Sequence, residues 1–157
     1  MTSLLVLGGT QFLGRAVAED ALRRGNEVTV LHRGRNTPPP GVTALRGDRT
    51  TSEGLRPLGD RAWDIVVDTW SGDPSAVARS ADLLRDRADR YTYISSRSVY
   101  TWPAAAGADE GAPVVQVPDD GELDYAQRKR AGELAVESAF GTRSLLLRVG
   151  LLIGPRE

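Results

Sequence analysis

Residues 4–14 read LLVLGGTQFLG, a run of four apolar residues followed by a glycine-rich turn. A short apolar run that ends at glycines is typical of a buried parallel strand. From Phe12 onward, apolar residues recur every four positions, which predicts a helix. Where a glycine turn joins such a strand to a helix, backbone N–H groups can approach a pyrophosphate closely. The stretch therefore predicts a dinucleotide-binding turn, with Gln11 in the place where such turns often have their middle glycine.

Short apolar runs and helical patterns alternate along the rest of the chain. Strands are predicted at Ser3–Leu7 and at residues 27–31, 42–45, 63–69, 91–95 and 143–149. Helices are predicted from Phe12 to Gly25, around residues 52–58, from Asp73 through Val77, Ala81, Leu84 and Ala88, and over residues 122–140. Such alternation implies right-handed crossovers and a parallel sheet that is covered on both faces. We therefore predict one α/β domain, residues 1–157, with a doubly wound parallel sheet of about six strands, the Rossmann fold.

The composition excludes several kinds of protein. The 157 residues carry a net charge of −1 with a pI near 5.9, so no positive field attracts nucleic acid or an anionic membrane. The chain has no cysteine and a single histidine, His32, so disulfides, thiolate catalysis and a zinc site are not expected. No signal peptide is visible, and no apolar run is long enough to span a bilayer. We expect a cytoplasmic protein that binds neither nucleic acid nor a membrane, and no metal.

Two arginines follow the second predicted strand. NAD sites usually have a carboxylate at this place, which binds the ribose 2′-OH. Here the sequence reads His32-Arg33-Gly34-Arg35, and Arg33 and Arg35 would attract a 2′-phosphate through charge-assisted hydrogen bonds. The pattern favours NADP as the cofactor, with NAD as the alternative. Two solvated loop arginines would give the same pattern.

A tyrosine and a lysine lie four residues apart in the last predicted helix. Tyr125 and Lys129 therefore share one helical face. An ammonium near a phenol favours the ionised phenol, which prepares it to exchange a proton with an alcohol or a carbonyl. Lys129 is the only lysine among 20 basic residues, and an arginine would serve a solvated surface equally well. The pair predicts an acid/base site, although a solvated helix lysine would show the same spacing.

Hydroxyl groups follow the fifth predicted strand, and a long loop comes after them. Ser95 and Ser96 stand at the carboxyl end of this strand, where open α/β sheets bind ligands. Serine at a strand end is also ordinary loop chemistry. Residues 101–121 are rich in Pro, Gly, Ala and acidic residues and are predicted to lack regular structure. Loops of this length in a compact domain are usually functional or mobile.

Together these motifs resemble the extended branch of the short-chain dehydrogenase/reductase superfamily, the epimerase/dehydratase-like proteins. The resemblance covers the entire chain and rests on GGTQFLG (8–14), LRGDR (45–49), SSRSVY (95–100), YAQRK (125–129) and LLLRVGLLIGPRE (145–157). It implies that Ser96, Tyr125 and Lys129 are catalytic and that the last motif is the sixth strand with the loop beside the nicotinamide. It implies cofactor binding by Gly8, Thr10, Gln11, Phe12, Leu13, Gly14, Arg33, Arg35, Asp48, Arg49 and Thr69.

The resemblance implies an NADP-dependent oxidoreductase that transfers hydride to or from a carbonyl or alcohol carbon of a small molecule or a nucleotide sugar. A nucleotide-sugar epimerase with the same site is an alternative. Relatives that eliminate water from nucleotide sugars carry Asp-Glu after the catalytic hydroxyl residue, whereas Arg97-Ser98 stands here, which disfavours that reaction. A non-catalytic dinucleotide-binding module, regulatory or RNA-associated, is an alternative of another class. Turns of the form GGTxFLG resemble atypical members, some of which have lost catalysis.

Relatives continue beyond the position of Glu157 into a substrate-binding domain. We therefore expect the 157 residues to be the cofactor-binding part of a longer enzyme. Alone they should bind NADP(H) weakly, show little turnover, and either self-associate or keep residues 101–121 disordered. Relatives often dimerise through two helices that correspond here to residues 73–88 and 122–140, so a homodimer is a further expectation.

Overall fold

The computed structural model describes residues 1–103 and 105–154. At its centre lies a sheet of six parallel strands in the spatial order β3-β2-β1-β4-β5-β6. The strands are β1 Ser3–Leu7, β2 Glu27–His32, β3 Thr43–Arg46, β4 Trp63–Asp68, β5 Ala88–Ser96 and β6 Ser144–Val149. The α-helices are α1 Phe12–Arg23, α2 Pro74–Leu84 and α3 Tyr125–Phe140, and short 3-10 helices span Glu53–Leu58, Arg97–Val99 and Gly141–Arg143. The predicted α/β class and parallel Rossmann sheet are confirmed.

Helices cover both faces of the sheet because the side chains of each buried strand alternate between two apolar clusters. On one face, Val6 of β1 belongs to a cluster with Ala18 of α1. On the opposite face, Leu5 of β1 belongs to a cluster with Val77 of α2 and Val136 of α3. All five side chains are fully buried. A strand packed on both sides has no polar face, which explains why β1 is a continuous apolar run.

The strand order reverses between β1 and β4. From β1 the chain adds β2 and β3 on one side, and from β4 it adds β5 and β6 on the other. The connections diverge at this point, which opens a crevice outside the carboxyl ends of the two central strands. Leu7 and Asp68, the last residues of β1 and β4, are register partners there. This crevice holds the candidate site.

One predicted helix ends earlier than the apolar pattern suggested. Ala88 was expected to extend the apolar stripe of the second long helix, but α2 ends at Leu84 and Ala88 is the first residue of β5. The N–H of Arg87 donates to the carbonyl of Leu84 at 2.9 Å, which closes a turn between the two elements. Ala88 is then the register partner of Trp63 in β4, so the sheet accounts for its burial.

The last helix begins three residues later than predicted, at Tyr125. The carboxylate of Asp124 accepts a hydrogen bond from the N–H of Gln127 at 2.8 Å, and the side-chain oxygen of Gln127 accepts one from the N–H of Asp124 at 2.9 Å. This reciprocal capping box fixes the first turn of α3. It also places Tyr125 at the very start of the helix, beside the crevice.

The segment between β5 and α3 folds back on its own first residues, just beyond the end of the strand. Among its described residues it contains neither an α-helix nor a strand, but Tyr100 and Val114 form an isolated antiparallel bridge. The N–H of Val115 donates to the carbonyl of Val99 at 2.8 Å. In the described part of the chain, no helix is long and apolar enough to cross a membrane. Residues 155–157, the end of the predicted nicotinamide loop, lie outside the described residues.

Candidate active site

A cleft of about 900 Å³ opens at the carboxyl ends of the central strands. It brings together most of the residues that the sequence predicted for cofactor binding and catalysis. The predicted residues that line it are Gly8, Thr10, Gln11, Phe12, Leu13, Gly14, Arg33, Arg35, Arg49, Thr69, Ser96, Tyr125 and Lys129. Residues from separate motifs therefore meet at one edge of the sheet, because parallel strands end on the same side.

The glycine turn between β1 and α1 is tight enough to require glycine. Gly8 has a φ of +100°, and a Cβ added to it would lie 2.6 Å from the hydroxyl oxygen of Thr69. A Cβ added to Gly14 would lie 2.6 Å from the carbonyl oxygen of Gly8. Both positions are in the cleft lining. The turn thus forms a cradle of bare backbone against which a phosphate group can rest.

Gln11 does not obstruct this turn. It is the N-cap residue of α1, its backbone is extended, and its side chain makes no capping hydrogen bond and is exposed. The N–H of Arg15 donates to the carbonyl of Gln11 at 3.1 Å, so the preceding N–H groups of the first turn have no helical acceptor. Those groups and the positive end of the helix dipole suit an anion.

The charge in the cleft has one sign. Among the described residues that line it, Arg33, Arg35, Arg49 and Lys129 are positively charged and none is acidic. Arg33 and Arg35 are exposed at the end of β2, and the guanidinium of Arg33 lies 6.0 Å from the ring centroid of Trp70. A cleft with these charges favours a ligand that carries phosphates.

His32, at the end of β2, takes the place of the usual acidic residue. Its Nδ1 accepts a hydrogen bond from the N–H of Gly34 at 3.3 Å. Burial, with a smaller contribution from the positive charge of Arg46, lowers the pKa of His32 below its ordinary value. The imidazole is therefore neutral at physiological pH and contributes a turn rather than a charge. The part of the chain that the structure describes holds no cluster of three His, Asp or Glu residues suited to a metal ion.

Lys129 is buried beneath the cleft, with 3% of its surface exposed. Its Nζ donates to the carbonyl of Trp70 at 2.6 Å and to the carbonyl of Ile94 at 2.7 Å, and it lies 4.8 Å from the ring centroid of Tyr93. An ammonium has three N–H donors, so one donor is left for a ligand or for Tyr125. Burial lowers the pKa of Lys129 to about 8.

Tyr125 and Ser96 complete the predicted catalytic set. Tyr125 is the first residue of α3, one helical turn from Lys129, and 45% of its surface is exposed. Ser96 is the last residue of β5, and its Oγ accepts from the N–H of Ser98 at 3.1 Å and donates to the Oγ of Ser98 at 3.1 Å. Both residues line the cleft, and a phenol and a hydroxyl are groups that can donate a proton or a hydrogen bond to a substrate oxygen.

The two residues of the LRGDR motif occupy different surroundings. Asp48 is exposed and does not line the cleft; its carboxylate accepts from the N–H and the hydroxyl of Thr50, which lowers its pKa. Arg49 is buried and forms an ion pair with Asp68, although part of it borders the cleft. The predicted contacts of both residues with the cofactor stay predictions, and for Asp48 a contact requires its side chain to leave Thr50.

Several lining residues were not predicted from the sequence. These are Trp70, Ser71 and Gly72, which follow β4, whereas Val149 at the end of β6 and residues 150–152 after it belong to the motif that predicts the nicotinamide loop. A signal for the first group was available, because residues directly after a central strand lie at the carboxyl edge. A signal for the partner of Arg49 was also available, since Asp68 directly follows the apolar run Ile65–Val67 at the end of β4, where a carboxylate needs a cation.

A sequence model of the NAD dependent epimerase/dehydratase family matches residues 4–157. The chain belongs to this family. The resemblance inferred from the motifs is thereby confirmed. A search of curated proteins found no match.

Solved structures of the family's fold superpose closely on the chain. UDP-galactose 4-epimerase gives a TM-score of 0.80 at 20% identity over 99% of this chain and 58% of that chain. The Bordetella bronchiseptica enzyme WbmH in complex with NAD+ gives 0.79 at 20% identity over 100% and 58%. UDP-N-acetylglucosamine 4-epimerase from Bacillus cereus gives 0.78 at 23% identity over 100% and 58%. The chain thus spans little more than half the length of these solved chains.

Proposed function

We propose that this chain is the cofactor-binding part of an NADP-dependent oxidoreductase that uses Ser96, Tyr125 and Lys129 to reduce a carbonyl or oxidise an alcohol. The observation that carries the proposal is a single cleft that contains the glycine cradle, two exposed arginines and all three of these residues. The substrate class is a small molecule or a nucleotide sugar. A homodimer and a cytoplasmic location stay predictions.

Each part of the cleft supports the proposal that it binds a dinucleotide. The cradle of Gly8 and Gly14 and the open N–H groups of α1 suit the pyrophosphate. Arg33 and Arg35 suit a 2′-phosphate, and no carboxylate among the described lining residues is available for a 2′-OH. When bound, a nicotinamide cofactor supplies or accepts the hydride. WbmH was solved with NAD+, so NAD is the alternative cofactor.

The proposed chemistry of the chain's own residues is proton transfer and orientation. Tyr125 gives its phenolic proton to the substrate oxygen in reduction and takes it back in oxidation. Lys129 stabilises the phenolate through its charge, and its free N–H donor is available to a ribose hydroxyl. Ser96 donates to the substrate oxygen once its hydroxyl turns away from Ser98. The hydrogen bonds of the buried ammonium of Lys129 to two backbone carbonyls fix its position.

A nucleotide-sugar 4-epimerase with the same residues is the second candidate. Two of the superposed structures carry that name, and both epimerases extend well beyond the length of this chain. The two candidates differ in the cofactor balance. An oxidoreductase consumes NADPH as a carbonyl substrate disappears, whereas an epimerase interconverts its sugars with no net consumption.

The cofactor proposal is tested by titrating the protein with NADPH and with NADH. We expect tighter binding of NADPH, and a loss of about tenfold or more for Arg33→Ala or Arg35→Ala, since each removes a charged hydrogen-bond donor. NADH affinity should not change in either variant. Arg90→Ala, at an exposed arginine near the amino end of β5, is the matched control. Equal affinities for both cofactors that neither variant alters would contradict NADP preference.

A further inference from the structure

A buried ion pair lies beneath the cleft floor. Arg49 is 5% exposed and Asp68 is fully buried, and the guanidinium meets both carboxylate oxygens, with Arg49 Nη2 at 2.6 Å from Asp68 Oδ2. Tyr91 donates its hydroxyl to Asp68 at 2.6 Å, and Arg49 also donates to the hydroxyl of Ser80 at 3.0 Å. Desolvation makes a buried ion pair weak as a source of stability. The pair therefore calls for another explanation.

The backbone of Trp70 connects this ion pair to Lys129. The N–H of Trp70 donates to Asp68 Oδ1 at 2.9 Å, and the carbonyl of Trp70 accepts from Lys129 Nζ at 2.6 Å. Tyr93 donates its hydroxyl to the same carbonyl at 3.2 Å and presents its ring to the ammonium. Asp68 thus binds the N–H of Trp70, and Lys129 binds the carbonyl of the same residue.

We propose that Arg49 and Asp68 are positioning residues for Lys129: Asp68 anchors the Trp70 backbone that receives the ammonium, and the Arg49–Asp68 ion pair places two opposite charges behind this contact. The inference rests on the proposed function of Lys129 as the partner of Tyr125. It adds two residues that reach the reacting groups only through Trp70 and through their charge.

The charged and titratable groups around Lys129 come from every element packed against it. Asp68 belongs to β4, Arg49 to the loop after β3, Tyr93 to β5, and Glu133 to α3 itself. Burial is the main cause of the lowered pKa of Lys129; the charge of Asp68 raises this pKa, that of Arg49 lowers it, and that of Glu133 raises it by the smallest amount. Tyr125 faces the cleft one turn away.

The two charges act in opposite directions, so substitutions at the two positions have opposite expected effects. In Arg49→Met the carboxylate of Asp68 keeps Tyr91 and Trp70 as donors and faces Lys129 alone, which raises the pKa of Lys129 above about 8. In Asp68→Asn the positive charge of Arg49 is no longer balanced by a carboxylate, which lowers the pKa of Lys129. The double variant Arg49→Met/Asp68→Asn loses both contributions, so the pKa of its Lys129 lies between those of the two single variants.

A single lysine makes the measurement direct. In protein labelled with ¹³C-lysine, Lys129 is the only lysine signal, and its titration reports its pKa without any ligand. The pKa of Lys129 is expected to be highest in Arg49→Met and lowest in Asp68→Asn, with the wild type and the double variant between them. Arg79→Met is the matched control, since Arg79 binds the same loop through the carbonyls of Arg49 and Thr50 but not Asp68. It should titrate like the wild type.

The Lys129 pKa is compared among those variants that fold. The double variant loses both charges together and is expected to fold even where Asp68→Asn alone does not. An unchanged Lys129 titration in folded Arg49→Met or Asp68→Asn protein, a double variant that lies outside the range set by the single variants, or an equal shift in Arg79→Met would overturn the proposal. Cofactor titrations of the same proteins are read separately. If the wild type does not bind NADPH, the proposed function is contradicted, but the effect of Arg49 and Asp68 on the titration of Lys129 is unaffected.

Discussion

Gly14→Ala tests the geometry of the phosphate cradle at its tightest point. The added Cβ would lie 2.6 Å from the carbonyl oxygen of Gly8 and 3.1 Å from Cα of Gly9, both backbone atoms that cannot rotate aside. Optimal contacts between carbon atoms are about 3.5 Å or longer, so the turn must open by several tenths of an ångström. Overpacking of this kind costs about 1–3 kcal/mol.

The distortion falls on the atoms proposed to receive the pyrophosphate. We therefore expect the free energy of unfolding to fall by about 1–3 kcal/mol. If a similar free energy is lost from the contact between the turn and the pyrophosphate, affinity for NADPH falls by roughly fivefold to more than a hundredfold. Urea unfolding followed by circular dichroism measures the first quantity, and a fluorescence titration with NADPH measures the second.

Gly25→Ala separates the two effects. Gly25 has a φ of +78° at the end of α1, nothing lies within 4 Å of an added Cβ, and it does not line the cleft. The strained backbone costs about 1 kcal/mol without touching the cradle. Both variants should lose stability, and only Gly14→Ala should lose affinity. Equal losses of affinity in the two variants, or wild-type stability and affinity in Gly14→Ala, would refute the reasoning.

Three further predictions follow from the site and its surroundings. Tyr125→Phe should abolish turnover of a carbonyl substrate while NADPH affinity, measured by fluorescence, stays within about twofold, because only the proton donor is lost. The pKa of Lys129 in the folded protein is about 8, below its ordinary 10.5, so the unfolded chain binds the proton more tightly. The unfolding free energy of the wild type relative to Lys129→Met should therefore fall as pH decreases from 10.5 to 8 and then level off. Urea titrations that show no pH dependence of this difference would contradict the prediction. Arg148→Met removes a bidentate partner of the fully buried Glu133 and should cost about 3 kcal/mol in thermal or urea unfolding. Arg85→Met, which removes an exposed ion pair with Asp82, should cost less than about 0.5 kcal/mol.

The parts of the site that follow strand ends could be predicted from the sequence. Gly8, Ser96 and the residues after β2 are fixed by where apolar runs stop, and parallel strands bring those stops to one edge. Tyr125 and Lys129 were predictable as a pair because helical periodicity alone places them on one face. Their meeting with Ser96 in the cleft then follows from the crossover after β5.

Contacts between distant side chains could not be predicted in this way. Arg49 and Asp68 are separated by 19 residues, and their pairing depends on how the loop after β3 crosses the end of β4. The motif predicts that Asp48 binds the cofactor, but in the structure its carboxylate accepts two hydrogen bonds from the neighbouring Thr50. Ala88 fits either a helix stripe or a strand, and only its sheet partner decides between them.

The position of Trp70 gives the protein an optical reporter of its own site. Its indole lies in the cleft wall, 6.0 Å from the guanidinium of Arg33 and 5.5 Å from that of Arg49. The other two tryptophans have different surroundings and do not line the cleft. Trp63 is buried at the amino end of β4, and Trp102 is 61% exposed. A ligand that draws Arg33 away from the indole would change the emission of Trp70 selectively. Trp63→Phe/Trp102→Phe protein would therefore follow occupancy of the cleft by intrinsic fluorescence, with no added dye and no substrate.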